Sequence, residues 1–339
     1  MATSQENDDN RSGYALMSAL LGSALWVAIV VANVFGNEAL NRFSLLLLLA
    51  ILVFVPLGLE LAAFPGRGAG NNGLYRLARF IQPFAGLAAA ASCLLQPGIV
   101  AGSLALPWLL FCVVAAVAGL LRLREPQAFR TDQLAITAAL LYLPIGGAWL
   151  AAHQFNITML GFGGVTALLT AVHFHFAGFI APLLAGMAGR HLASMRTPQN
   201  GRQMKRAWRM YLFAAPGIIA GPPLVAAGIT LAARTPVIEI LSALLLTSSV
   251  ALFAIVTAGP IARSLEPRPA LLLRISSAAS LLAMLLAALY AVGTYLQMRF
   301  ITIPIMGITH GVLNSVFALC GLYCWIIVRP APPPPGSKG

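Results

Sequence analysis

Two imidazoles stand two residues apart in the run His173-Phe174-His175-Phe176-Ala177-Gly178-Phe179, within a stretch apolar enough to cross a bilayer. They are two of only five histidines in the chain. A neutral imidazole in hydrocarbon needs a hydrogen-bond partner, a metal or a proton path, because leaving its nitrogens unpaired costs on the order of a few kcal/mol. This segment is therefore the first candidate for function. Successive helical residues rotate by about 100°, so positions i and i+2 point about 200° apart. One metal ion cannot readily take both rings, and on a regular helix the two serve different partners. His173 shares its face with Thr166, Leu169, Ala177 and Ile180; His175 shares its face with Leu168, Val172, Phe179 and Pro182.

A second polar group falls near the C-terminus, where His310 and Asn314 are spaced i, i+4, with Phe317 and Gly321 continuing their face. Gly307 and Gly311 flank this histidine and allow close approach of a neighbouring helix or a ligand. His310 and His173 enter their helices at similar depth, within a few Å at about 1.5 Å per residue. A shared site of His173, His175, His310 and Asn314 in the outer half of the membrane is the expectation. His153, Asn156 and Glu239 fall at the outer surface and form a candidate mouth, or an interfacial cluster that hydrates helix ends. Glu60 lies near the end of the second span, where a nearby Arg can pair with it, and His191 reads as a loop residue. No carboxylate is placed at mid-membrane depth, which weakens cation coupling through an acidic relay.

The elements that must position these groups are transmembrane helices. With 59% hydrophobic residues and 9% charged, a chain of 339 residues is not a soluble globular domain. A window of about 19 residues gives helices at roughly 14–34, 43–64, 77–95, 98–121, 133–153, 161–188, 209–232, 237–260, 271–294 and 303–328. The third is interrupted by Gln82 and Pro83. The fold class is thus an all-α polytopic bundle of about ten helices: residues 13–328 form the membrane domain, 1–12 a disordered polar tail and 329–339 a disordered tail with four consecutive prolines.

Alternating spans place 18 of the 21 Lys and Arg on one side, leaving only Arg42, Arg234 and Arg299 on the other. Cytoplasmic segments are enriched in such residues, so both termini are expected inside. The net charge of +12 then calls for anionic lipid headgroups at the Arg/Lys loops and for no nucleic-acid partner. The largest connection, Arg190 to Arg209, carries six basic residues and no acid. The first apolar stretch is too long for a cleavable signal peptide and reads as a retained helix. Cys93, Cys112, Cys320 and Cys324 all fall within spans, which argues for buried thiols rather than a disulfide framework, although Cys320 and Cys324 are spaced to share a soft metal.

The segment from Thr170 to Phe179, together with His310-Gly311-Val312-Leu313-Asn314, resembles the YndJ-like family of bacterial membrane proteins, with its HFHYAGF-type segment and later His-Gly plus Asn segment. The stretch around Gln96-Pro97-Gly98 and Pro107-Trp108 extends the resemblance over most of the chain, and Phe176 stands where the pattern has Tyr. The resemblance implies a multi-pass protein of the bacterial cytoplasmic membrane and transfers no biochemical activity, though such proteins receive the label of transporter. The four residues from His173 to Phe176 are also similar to a segment of haem-copper oxidase subunit I, whose two histidines ligate different haems. The adjacent His-His pair and the other copper ligands are missing here, so that likeness implies at most a haem or transition metal held by His173 or His175 with His310.

Three readings stand. A transporter would pass a neutral or weakly polar solute along the histidines and Asn314, with helices interrupted at Pro144, Pro216, Pro222, Pro223 and Pro304. A haem or metal protein would use His173, His175 and His310 for redox chemistry or sensing. A scaffold would use the histidines as hydrogen-bonded packing elements. No Ser/His/Asp arrangement, HExxH or paired-carboxylate motif supports hydrolysis; the residues lean against an enzyme without deciding the matter, and a lipid-modifying activity stays open.

Overall fold

The computed structural model describes residues 2–36, 40–63, 72–125, 127–195, 201–232, 234–298 and 301–330. The side chains of residues 2–13 and most of the Pro-rich C-terminal tail lie outside the described residues.

Among the described residues ten helical segments follow one another: α1 (Ala2–Phe35), α2 (Arg42–Leu61), α3 (Asn72–Cys93), α4 (Ile99–Leu121), α5 (Thr131–Gln154), α6 (Gly164–Ser194), α7 (Gly201–Leu231), α8 (Pro236–Ser264), α9 (Pro267–Tyr295) and α10 (Ile303–Val328). No strand occurs among the described residues beyond one bridge between Met159 and Phe162. Among the described residues, nine segments are long and apolar enough to cross a membrane; α3, with Arg76, Arg79 and Gln82 in its sequence, is the remaining one. It is nonetheless unbroken at Pro83, and its 22 residues reach about 33 Å.

Two helix boundaries differ from the hydropathy reading. The backbone is helical from Ala2, where the sequence suggests a disordered tail. The basic stretch expected as a long loop is mostly helix: Arg190 and His191 belong to α6, and Arg202, Lys205, Arg206 and Arg209 to α7. Hydropathy windows stop at charge, whereas a helix carries Arg and Lys past the hydrocarbon edge with their heads in the headgroups. His191 is thus a helical residue, its Nε2–H donating to Ser264 Oγ at 2.9 Å.

The chain divides into two compact units, residues 1–122 with 140–175, and residues 123–139 with 176–339. Lipid tails are as apolar as leucine, so helices in a bilayer associate through close packing and hydrogen bonds rather than through hydrophobic burial. Unit 1 shows both. A Cβ at Gly22 of α1 would strike the Leu52 carbonyl oxygen of α2, so these backbones touch. Trp26 Nε1–H donates to Leu45 O at 2.8 Å, and the Asn33 side chain pairs with both backbone groups of Leu40 at 3.1 and 2.8 Å. Asn41 caps α2 by accepting from Ser44 N at 2.9 Å. Arg122 is buried and donates to Ala62 O at 2.8 Å.

In unit 2, Gly217, Gly221 and Gly228 on α7 meet Ser249, Leu246 and Ser242 on α8 in turn, an antiparallel seam of small residues. Ser276 of α9 donates to Phe317 O of α10 at 2.8 Å. At the start of α5, fully buried Asp132 accepts from Arg130 Nε at 3.1 Å and from Gln133 Nε2 at 2.8 Å. Gly186 and Gly189 of α6 make room for it: a Cβ on Gly189 would lie 2.8 Å from Asp132 Cβ and would strike the hydroxyl of buried Tyr211.

Among the described residues three spans change from α to π geometry. The π segments are Ala50–Phe54 in α2, Phe174–Ile180 in α6 and Thr257–Ile261 in α8. Each is tied to a proline: Pro56 and Pro182 follow the first two at the second position of the resumed helix, and Pro260 lies inside the third. The sequence instead points to interruptions at Pro144, Pro216, Pro222, Pro223 and Pro304. Pro144 and the three α7 prolines sit inside unbroken α-helix, and Pro304 occupies the second position of α10, where its missing N–H is not needed. At the α2 site the lost hydrogen bond has a visible substitute. Val55 N–H bonds to Ala50 O, five residues back, so Pro56 leaves Ile51 O without its π-helical donor. Gln82 of α3 supplies that donor, Nε2 to Ile51 O at 3.1 Å.

Candidate functional site: a buried histidine in a π-turn

His175 is the second residue of the α6 π segment and is fully buried. Its Nδ1–H donates to Ala171 O at 2.8 Å. Its Nε2 accepts the indole N–H of Trp108, on α4, at 3.1 Å. A carbonyl takes only a donor and an indole is only a donor, so the two bonds fix a neutral imidazole protonated at Nδ1. The rings are nearly coplanar, 24° apart with centroids at 5.8 Å, and Trp108 also packs on Phe111 at 4.8 Å.

The third wall is α5. A Cβ on Gly146 would stand 2.7 Å from His175 Cε1 and Nδ1 and 3.3 Å from Phe174 Cβ, so glycine is what lets α5 close over the imidazole. A Cβ on adjacent Gly147 would lie 3.2 Å from Cys112 Sγ, which brings α4 and α5 together one step further round. With both ring nitrogens engaged, His175 has no lone pair left for a metal while the Trp108 bond stands.

His173 has a different environment, as the i, i+2 spacing requires. It is exposed, and its Nδ1–H donates to Leu169 O at 2.7 Å within its own helix. Nε2 is left as the acceptor, with no partner among the described residues.

His310 and Asn314 belong to unit 2 and are half-buried. His310 Nδ1–H donates to Ala283 O of α9 at 2.9 Å, and Asn314 Nδ2 donates to His310 O at 2.9 Å. The expected pair is therefore in contact, the amide bonding the histidine's backbone rather than its ring. Of the expected outer mouth, His153 donates from Nδ1 to Gly164 O at 2.9 Å, joining the end of α5 to the start of α6. Asn156 is exposed in the intervening turn with φ of 57°, a conformation Asn tolerates, and Glu239 is half-buried in the first turn of α8.

Among the described residues, no group of three or more His, Cys, Asp or Glu side chains comes together in a way that could hold a metal ion. All four cysteines are free thiols. The pairing expected for Glu60 is present: Arg79 Nη2 lies 2.6 Å from Glu60 Oε2.

Trp108 and Gly146 have no chemical signature of their own as site residues. The Pro107-Trp108 and Gly146-Gly147 pairs are the only traces in the sequence, a ring with one N–H inside an apolar span and a place where two helices come close.

Residues 45–318 match the model of the YndJ-like protein family. An uncharacterised membrane protein of Bacillus subtilis (strain 168), YndJ, is 30% identical over 275 residues, covering 80% of this chain and 46% of that protein. The chain thus spans about half the length of the curated relative it matches. No solved structure matches it. The HFHF segment, the Trp108 helix and most of the His310–Asn314 helix all fall inside the matched region, and the chain belongs to the YndJ-like family of membrane proteins.

Proposed function

We propose that the protein is a transporter of a neutral or weakly polar small molecule in the bacterial cytoplasmic membrane. Both termini face inward in this reading, and the Arg/Lys rim rests on anionic headgroups. The observation that carries it is the set of proline-linked π segments in α2, α6 and α8, one of which holds buried His175. A π segment next to a proline leaves backbone groups that protein or a polar path must satisfy, and transporters use such irregular stretches of helix as binding and bending points. His173 and, once its Trp108 bond opens, His175 in unit 1, and separately His310 and Asn314 in unit 2, are the polar groups offered to the solute. No carboxylate in a mid-span position is needed for such a cargo.

The test compares metabolite partitioning between cells and medium for wild-type, deletion and His175→Ala strains, followed by uptake of any shifted compound into proteoliposomes. A compound whose gradient depends on the protein and on His175 supports transport. Unchanged partitioning of every compound counts against it.

A second reading rests on His173. An imidazole whose Nδ1–H is held by a carbonyl presents Nε2 in the manner of a metal ligand. Haem or a transition metal bound there would supply redox or sensing chemistry, and a Soret band lost in His173→Ala but kept in His175→Ala would establish it.

A further inference from the structure

A small cavity in unit 1, with no histidine in its lining, lies between Tyr14 and Ser18 of α1, Pro56 and Leu59 of α2, and Arg79 and Gln82 of α3. Its volume is about 10 Å³, room for one water-sized group. Three features set its depth. Tyr14 precedes the apolar span Leu16–Phe35 by two residues, Glu60 is the penultimate residue of α2, and Arg79 is seven residues into α3, about 10 Å along the helix. The cavity therefore sits at the headgroup level on the arginine-rich side, where amphipathic Tyr side chains collect.

Its polar groups are specific. Gln82 is only 3% exposed, and its Nε2 is committed to Ile51 O, while its Oε1 has no hydrogen bond among the described residues. Ser18 likewise has a hydroxyl with no partner among the described residues, and Tyr14 makes only a long 3.4 Å contact with Phe80 O. The Arg79 guanidinium, paired with Glu60, is part of the wall. Exposed Arg76 stands one helical turn before Arg79. A group that fills this niche must donate to Gln82 Oε1 and accept from the Ser18 hydroxyl, which is what a hydroxyl does. The molecule bearing it must be anionic to suit Arg76, and it must lie at headgroup depth.

We propose that the α1–α2–α3 niche binds an anionic phospholipid whose headgroup carries a free hydroxyl, phosphatidylglycerol being the simplest. The hydroxyl enters the cavity against Gln82 and Ser18, and the phosphodiester stays at the mouth beside Arg76. This depends on the arginine-rich side facing the headgroups and not on the transport reading.

The test is lipid retention by the full-length protein in detergent, measured by native mass spectrometry with phosphatidylglycerol, phosphatidate, phosphatidylethanolamine and phosphatidylcholine. Phosphatidylglycerol should be retained about fivefold better than phosphatidate, the worth of roughly one hydrogen bond. Ser18→Val and Gln82→Leu should remove that preference, and Arg76→Gln should weaken both anionic lipids alike. Because Gln82→Leu also uncaps Ile51 O, Ser18→Val is the variant that decides if Gln82→Leu fails to fold. Equal retention of phosphatidylglycerol and phosphatidate in the wild type, or a preference that survives Ser18→Val, overturns the proposal in favour of charge alone. No retention of anionic lipid overturns it in favour of a water-filled niche.

Discussion

Trp108 Nε1–H donates to Nε2 of His175 across 3.1 Å, both residues being fully buried. An indole is the strictest partner an imidazole can have: it donates one proton and accepts none, so it holds the ring neutral and in one tautomer. Removing one member leaves the other unpaired in a low-dielectric interior, and removing both leaves no polar orphan. Trp108→Phe should therefore destabilise the protein by about 1–3 kcal/mol, and Trp108→Phe with His175→Leu by clearly less than the sum of the singles. A double-mutant cycle of detergent unfolding measures this. Strict additivity would show that the bond contributes nothing.

Gly146 gives a steric prediction at the same place. Alanine there sets a methyl 2.7 Å from the imidazole, and α5 must move or the ring must leave its rotamer, at about 1–3 kcal/mol. Gly73, near the start of α3, has nothing within 4 Å of an added Cβ, so Gly73→Ala should leave stability unchanged or slightly raised. Equal thermal shifts for the two alanines would remove the close-approach argument.

The π segment of α2 predicts a rescue. Gln82→Leu uncaps the Ile51 carbonyl and should cost about 1–3 kcal/mol in the wild type. In a Pro56→Ala background the chain regains its own N–H donor, and the same substitution should cost much less. Gln82 is then a positioning residue for the π-turn, and an unchanged cost in the Pro56→Ala background argues that it packs rather than caps.

Asp132 tests the buried charges of unit 2. Its carboxylate holds Arg130 at 3.1 Å with no solvent exposure, so Asp132→Asn removes the negative member of a buried ion pair, at about 3–5 kcal/mol. Unfolding in mixed detergent reads this, and a loss below about 1 kcal/mol would place the pair among weak surface bridges.

Composition and charge alternation are coarse signals with a simple physical origin in bilayer thickness, and the helical membrane fold and its ten segments follow from them. The histidine run was visible because imidazole is rare in hydrocarbon, and its spacing already separates His173 from His175. What was not visible is tertiary. Nothing in the residues around position 108 says that an indole will face a histidine 67 residues away, and Gly146 is distinctive only against the ring it covers. Prolines mislead for a related reason. Those of α7 look disruptive and sit in unbroken helix, whereas Pro56 matters because Gln82, from another helix, completes the turn it leaves open. Helix ends rich in Arg escape a hydropathy window, which turned the first turns of α7 into an expected loop.

Whether the His175 π-turn belongs to a solute path is read from uptake into proteoliposomes of the compound singled out by metabolite partitioning, comparing wild type with His175→Ala and Trp108→Phe at matched reconstitution. Protein-dependent uptake should fall at least about tenfold in His175→Ala, a difference of about 1.4 kcal/mol, and fall less in Trp108→Phe, which keeps the imidazole. Uptake by His175→Ala equal to wild type, in liposomes containing equal amounts of folded protein, would contradict it.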